Sequence, residues 1–225
     1  MTQGSFTGRN VLVFGGGGAL GAGVAAAFSA AGASVNAIDR AVPDTGRRLD
    51  GVSYTAVNVL DDAGLGTLFD ARPPPWAVVN TIGGFAGYRP LAELDPAELT
   101  GQLELNLVSA ALITKHALRV MQPGGAGRVV HTASRAGVVT AGSGFAYSVS
   151  KAGVLHLVTM AADEVKGTGI TVNCVVPSII DTPANRAAMP SARHDSWPKI
   201  PDIARTYLYL ADPGSGLTNG AAIPV

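Results

Sequence analysis

The chain has 225 residues, 47% of them hydrophobic and only 14% charged, with Lys+Arg 16 balanced against Asp+Glu 16. That length suits one well-packed domain, and the neutral balance excludes a basic field for nucleic acid or an anionic membrane surface. The longest apolar runs, such as 111–121, are broken by charge short of a membrane span. The opening "MTQGSFTGRN" lacks the cationic-then-apolar order of a signal peptide, so a cytoplasmic location is expected. The single cysteine, Cys174 in "TVNCVV", reads as a buried strand residue.

In chain order, short β-rich runs alternate with helical ones. The run 10–14 precedes a helix near 19–31, and 33–39 ends in an acid, Asp39. The run 52–59 precedes a short helix, and 76–82 leads through a Pro-rich loop to a long helix near 96–121. The run 127–134 precedes a helix near 147–166; the run 170–177, a helix near 201–211 and the terminal "GAAIPV" complete the alternation. Apolar runs bounded by Gly and Pro, alternating with 3.6-period segments, predict an α/β fold. The expected architecture is a single domain over 1–225, a Rossmann-type doubly wound parallel sheet with helices on both faces. No composition shift, long linker or internal repeat marks a second domain.

"VLVFGGGGALGAG" (11–23) leaves a strand, turns on glycines and enters an Ala-rich helix. Two spacings fit, Gly16-x-Gly18-x-x-Gly21 and Gly17-x-x-x-Gly21-x-Gly23. Side chains here would block the backbone N–H groups that a phosphate needs at a helix N-terminus. The candidate phosphate loop therefore comprises Gly15, Gly16, Gly18, Ala19, Leu20 and Gly21. Asp39 lies 18 residues beyond Gly21, near the spacing at which a carboxylate accepts from adenosine ribose hydroxyls. A carboxylate repels a 2′-phosphate and so favours NAD(H); Arg40 follows directly and is placed to pair with that phosphate, which keeps NADP(H) open.

Tyr147 and Lys151 stand four positions apart, on one face of the expected helix. An ammonium beside a phenol favours the phenolate, so this pair is expected to lower the tyrosine pKa. Taken alone, the spacing is as compatible with two residues that merely share a helix face. No His/Cys/Asp cluster has metal-ligand spacing; His116, His131 and His156 fall within elements, and His194 falls in a loop.

Over nearly its whole length the chain resembles the short-chain dehydrogenase/reductase family. The resemblance rests on the front glycines, "LELNLVSA" with Asn106, Ser134, "YSVSK" and "PSIIDTP" (177–183). It implies that Tyr147 is the general acid/base and that Ser134 holds the substrate oxygen. Lys151 would bind the nicotinamide ribose and lower the Tyr147 pKa, and Asn106 would support a water-linked proton path. It also implies cofactor contacts from Asn58, Val59, Asn80, Gly83, Pro177, Ile180 and Thr182. Departures from the family pattern are Phe14-Gly15, Asn58, "NTIGG" (80–84) and Ser178. The implied reaction is NAD(P)(H)-dependent hydride transfer between nicotinamide and a carbonyl/alcohol substrate. Two stretches, 11–21 and 181–190 with 196–197, resemble the quinonoid dihydropteridine reductases of that family, which leaves pterin reduction as an alternative. A dinucleotide-sensing regulator without turnover is a further one, against which the retained Ser134, Tyr147 and Lys151 weigh.

Substrate contacts are expected from 83–90, 135–145 and a substrate loop at 184–198, at the carboxyl ends of the strands. Phe85, Tyr88, Phe145, Met189 and Trp197 suggest a partly apolar or planar small molecule. Arg135 and Arg186 are candidates for an anion. Apolar excess on helices 96–121 and 147–166, together with the resemblance, implies a homodimer or homotetramer.

Overall fold

The computed structural model describes residues 5–87, 89–139 and 144–225. Its strands are β1 (Asn10–Phe14), β2 (Ser34–Asp39), β3 (Val52–Ala56), β4 (Ala77–Asn80), β5 (Ala126–Thr132), β6 (Gly169–Val176) and β7 (Ala222–Pro224). They form one seven-stranded sheet in the order β3-β2-β1-β4-β5-β6-β7, and every neighbouring pair is parallel. The helices are α1 (Ala19–Ala30), α2 (Asp62–Asp70), α3 (Pro96–Gln102), α4 (Ser109–Met121), α5 (Phe145–Glu164), α6 (Pro183–Ala188) and α7 (Ile200–Ala211). This is the doubly wound architecture that the alternation predicts.

Strand periodicity divides the core. In β1, Leu12 and Phe14 enter one buried cluster with Phe69, Ile113 and Met121, from α2 and α4. Val11 and Val13 enter the other, with Val24, Phe28, Ile203 and Tyr207 from α1 and α7. Successive strand side chains point to opposite faces, so a parallel strand covered on both sides is apolar throughout. Each large side chain fully buried in this way contributes about 1.5–3 kcal/mol.

Local signals explain the helix starts. Asp61 caps α2 by accepting from Gly64 N at 3.1 Å, and Asp95 caps α3 from Ala97 N at 2.9 Å, with Pro96 in its first turn. The expected helix at 96–121 is not continuous. A π-helical turn, Leu103–Val108, separates α3 from α4. The wider turn is stabilised where Ser109 Oγ donates to the Leu105 carbonyl at 2.5 Å. Two further expectations change: β3 ends at Ala56 rather than 59, and the loop 184–198 overlaps a short helix, α6, capped by Thr182. No helix among the described residues is long and apolar enough to cross a membrane.

Candidate active site

The sheet order reverses at β1 and β4, opening a crevice at the carboxyl ends of the strands. Gly15 follows β1, Asp39 ends β2, Asn80 ends β4, Ser134 lies just past β5 and Pro177 follows β6. Residues far apart in the chain thus meet along one edge.

At β1 the chain turns through Gly15, whose φ of +80° lies in the left-handed region. Gly18 N donates to Gly15 O at 3.0 Å, and a side chain at Gly21 would collide with that same carbonyl. The first α1 bond back to Gly18 comes from Ala22 N, at 2.9 Å. The N–H groups of Ala19, Leu20 and Gly21 therefore open the helix without intrahelical acceptors. Gly18 supplies no side-chain cap, so the anion-favouring end of α1 faces the turn.

Asp39 is positioned by backbone donors. Gly17 N donates to Oδ2 at 2.9 Å and Arg40 N to Oδ1 at 2.8 Å. Beside it a cavity of about 340 Å³ is lined by Asp39, Arg40, Val57, Asn58, Val59, Leu60, Ile82, Leu105 and Ser109. Asn58 Oδ1 accepts from Leu60 N at 3.2 Å, which shapes this wall. A carboxylate at the mouth of a largely apolar slot suits an adenosine, and the glycine turn suits its pyrophosphate. These residues fit a dinucleotide. Arg47, from a short 3₁₀ turn, donates to Gly17 O at 3.4 Å and so reaches the glycine loop at the residue that holds Asp39. Sequence reasoning missed it, because no motif ties position 47 to the glycine loop.

The reactive end lies on β5 and α5. Ser134 Oγ accepts from Ala136 N at 3.2 Å and lies near the Tyr147 phenol, whose ionisation it favours. Lys151, one turn on from Tyr147, is buried and donates to the Thr132 carbonyl at 3.0 Å. Its Nζ lies 6.0 Å from the Tyr147 ring centroid. Burial pulls the Lys151 pKa down to about 8. Burial also raises the Tyr147 pKa, and the nearby Ser134 hydroxyl opposes that rise. The expectation that Lys151 lowers the Tyr147 pKa is therefore corrected for this state, because the ammonium is turned to a backbone carbonyl and desolvation dominates.

Asn106 sits inside the π turn and is buried. Its Nδ2 lies 3.2 Å from both Gly84 O and Gln102 Oε1 and 3.1 Å from Ser150 Oγ. Its Oδ1 accepts from Gly84 N at 3.2 Å. Gly83 lies against both functional side chains: a Cβ there would sit 2.7 Å from Lys151 Nζ and 2.8 Å from Asn106 Oδ1. Asn80 is a buried structural link, bonded to His131 at 3.2 Å and to Ile82 N at 3.0 Å. Pro177 O accepts from Arg135 N at 3.0 Å. Ile180 O accepts from Asn185 at 2.8 Å, and Thr182 Oγ1 accepts from Asn185 N at 3.1 Å.

Of the substrate-side candidates, Phe85 packs edge-on against Tyr147 with ring centroids 5.1 Å apart. Trp197 is buried beside His194 and belongs to the packing of its own loop. Arg186 is held by both Asp181 oxygens, at 2.6 and 3.0 Å, rather than presented to an anion. Tyr88 and residues 140–143 lie outside the described residues. Among the described residues no His/Cys/Asp/Glu group could hold a metal ion.

A family model described as enoyl-(acyl carrier protein) reductase matches residues 17–225. The chain belongs to the short-chain dehydrogenase/reductase family. It is 28% identical to cis-4-hydroxycyclohexanecarboxylate dehydrogenase of Sinomonas cyclohexanicum, over 98% of this chain and 96% of that one. It is 26% identical to levodione reductase of Leifsonia aquatica, over 98% of this chain and 93% of that one. A short-chain dehydrogenase/reductase from Mycobacterium ulcerans shares the fold with a TM-score of 0.89 and 28% identity, covering 98% of this chain and 89% of that one. The protein is accordingly an NAD(P)-dependent oxidoreductase of this family, and its members act on small molecules.

Proposed function

We propose that this family member transfers hydride between NAD(H) and a carbonyl/alcohol substrate, with Tyr147 as general acid/base. The observation that carries this reading is the convergence of Ser134, just past β5, and Tyr147 on α5, with the serine hydroxyl near enough to act on the ionisation of the phenol and Lys151 one turn away on α5. A bound nicotinamide supplies the hydride. Ser134 Oγ already accepts from Ala136 N, so its proton is free to donate to a substrate oxygen. Tyr147 donates to the same oxygen. Reduction turns that oxygen into an alkoxide, and hydrogen bonds that strengthen as the charge develops lower the barrier. A buried phenol with a raised pKa stays protonated until the alkoxide takes its proton. Lys151, held on the Thr132 carbonyl, is the residue for the nicotinamide ribose, and Asn106 orders the route by which Tyr147 is reprotonated.

The glycine turn would hold the pyrophosphate, with Asn58 and Val59 beside the adenine and Pro177, Ile180 and Thr182 toward the nicotinamide. Asp39 supports NAD(H): its carboxylate lines the cavity, held there by the backbone N–H groups of Gly17 and Arg40, and no Lys or Arg side chain pairs with it among the described residues. The substrate is a compact, partly apolar ring ketone or its alcohol. Phe85 against Tyr147 and the exposed Val138, Val139 and Ile179 support this, as does the cyclohexane substrate in one relative's name. Exposed Val108, Val149 and Met160 on and beside α4 and α5 support a homodimer through those helices, for which a monomeric mass at micromolar concentration is the contrary result.

Ser134→Ala tests the carbonyl reading. Loss of one oxyanion donor costs about 2.7–4 kcal/mol; a neutral hydroxyl that shares its oxygen with a phenol belongs at the lower end. Turnover of the preferred ketone is therefore expected to fall by ~10²-fold, with NADH binding nearly unchanged. A silent Ser134→Ala, with quinonoid dihydropterin the best substrate of a panel, would replace this reading with pterin reduction.

A further inference from the structure

His131 is fully buried on β5, three residues before Ser134, and takes no part in the chemistry above. Its two ring nitrogens are both engaged: Nε2 lies 2.8 Å from Thr114 Oγ1, and Nδ1 lies 3.2 Å from Asn80 Nδ2. Thr114 spends its single hydroxyl proton on the Ala110 carbonyl, at 2.7 Å. It can only accept from the imidazole, so the ring proton is on Nε2 and Nδ1 is a bare acceptor. That acceptor takes the Asn80 amide N–H and points Asn80 Oδ1 at Ile82 N, 3.0 Å away. The next two residues are Gly83, against Lys151 Nζ and Asn106 Oδ1, and Gly84, which bonds Asn106 through both its N–H and its C=O.

We infer that His131 is a positioning residue: through Asn80 it sets the Ile82–Gly84 segment against which Lys151 and Asn106 are aligned. The chain of bonds runs from α4 through β5 and β4 to the reactive end, and the side chains of Thr114, His131, Asn80 and Asn106 in it are all buried. Buried polar networks of this kind fix one arrangement when fully satisfied, and lose it when one member is left unpaired. An apolar residue at 131 would leave the Asn80 N–H groups without an acceptor and free the amide to turn over. A neutral ring is needed, because protonation at Nδ1 would place two donors face to face. Burial and the nearby Lys151 charge hold the His131 pKa down at about 4, which keeps the ring neutral. Cys174, its neighbour in register on β6, is likewise neutral, its thiol pushed up to about 12.

The inference rests on the proposed roles of Lys151 and Asn106, and two variants separate it from simple packing. His131→Asn keeps a carbonyl oxygen within reach of Asn80 but loses Thr114; His131→Leu loses both. Both variants are expected to lower Tm. His131→Asn is expected to retain kcat within about threefold, whereas His131→Leu loses on the order of 10- to 100-fold, the scale of a small misplacement of reacting groups. Equal turnover in the two variants, whether kept or lost, overturns the inference. Absence of turnover in the wild type on any ketone instead overturns the proposed function. Should His131→Leu not fold, ¹⁵N spectra of the histidine-labelled wild type decide. The expected signature is an Nε2–H ring that does not titrate between about pH 6 and 9; an Nδ1–H ring, or titration in that interval, refutes the assignment.

Discussion

Replacing Gly83 by alanine adds one methyl group against both the Lys151 and the Asn106 side chains. The φ of Gly83 is not positive, so alanine is compatible with the backbone and the effect is purely steric. Its Cβ would lie 2.7 Å from Lys151 Nζ and 2.8 Å from Asn106 Oδ1, whereas carbon meets its neighbours comfortably at about 3.5 Å. One partner or both must move by roughly 0.7 Å to restore that spacing. The Lys151 side chain cannot simply swing away, since it is buried and tied to Thr132 O at 3.0 Å. Asn106 is held by Gly84, Gln102 and Ser150. Misplacing a catalytic group by about 1 Å can cost ~10²-fold, so kcat is expected to fall by ~30- to 100-fold. Overpacking costs about 1–3 kcal/mol, which for a chain of this size lowers Tm by several degrees. The assay is steady-state oxidation of NADH with the preferred ketone, beside a thermal melt. If Gly83→Ala retains kcat within about threefold at normal cofactor affinity, Lys151 and Asn106 do not need the alignment seen here.

Asp39→Ala removes the carboxylate that accepts from Gly17 and Arg40, leaving Arg40 in the cavity wall and Arg47 on the Gly17 carbonyl. The KM for NADH is expected to rise on the order of 10-fold, the value of one charged hydrogen bond, with any preference over NADPH narrowed or inverted. A wild type that already favours NADPH strongly would show that Arg40 and Arg47 outweigh Asp39. His131 makes stability depend on pH. Its folded pKa of about 4 lies below the ordinary histidine value of 6.5, so the unfolded chain binds the extra proton first. Stability is full above pH 6.5 and is lost as the pH falls toward 4. Between pH 8 and 5 the wild type should lose about 2 kcal/mol more than His131→Asn in urea titrations; parallel pH profiles for the two proteins would contradict the buried neutral ring.

Much of this molecule was legible in the chain itself. Both-face apolar runs such as "NVLVF" demand a parallel sheet covered on two sides, and the glycine turn into an Ala-rich helix marks a phosphate site wherever it folds. Strand and helix periodicity act locally, so the order of elements, the Asp39 position and the shared face of Tyr147 and Lys151 followed from spacing alone. Tertiary structure decided what depends on neighbours distant in sequence. The π turn that carries Asn106 inward, the Arg47 overhang on Gly17 and the His131–Asn80 link join residues that no local pattern connects. Electrostatics moved furthest from the expectation. Spacing makes Lys151 a partner that lowers the Tyr147 pKa, but burial desolvates both groups and a carbonyl from β5 claims the ammonium. A pKa is set by everything within several ångströms, and only the folded chain determines what lies there.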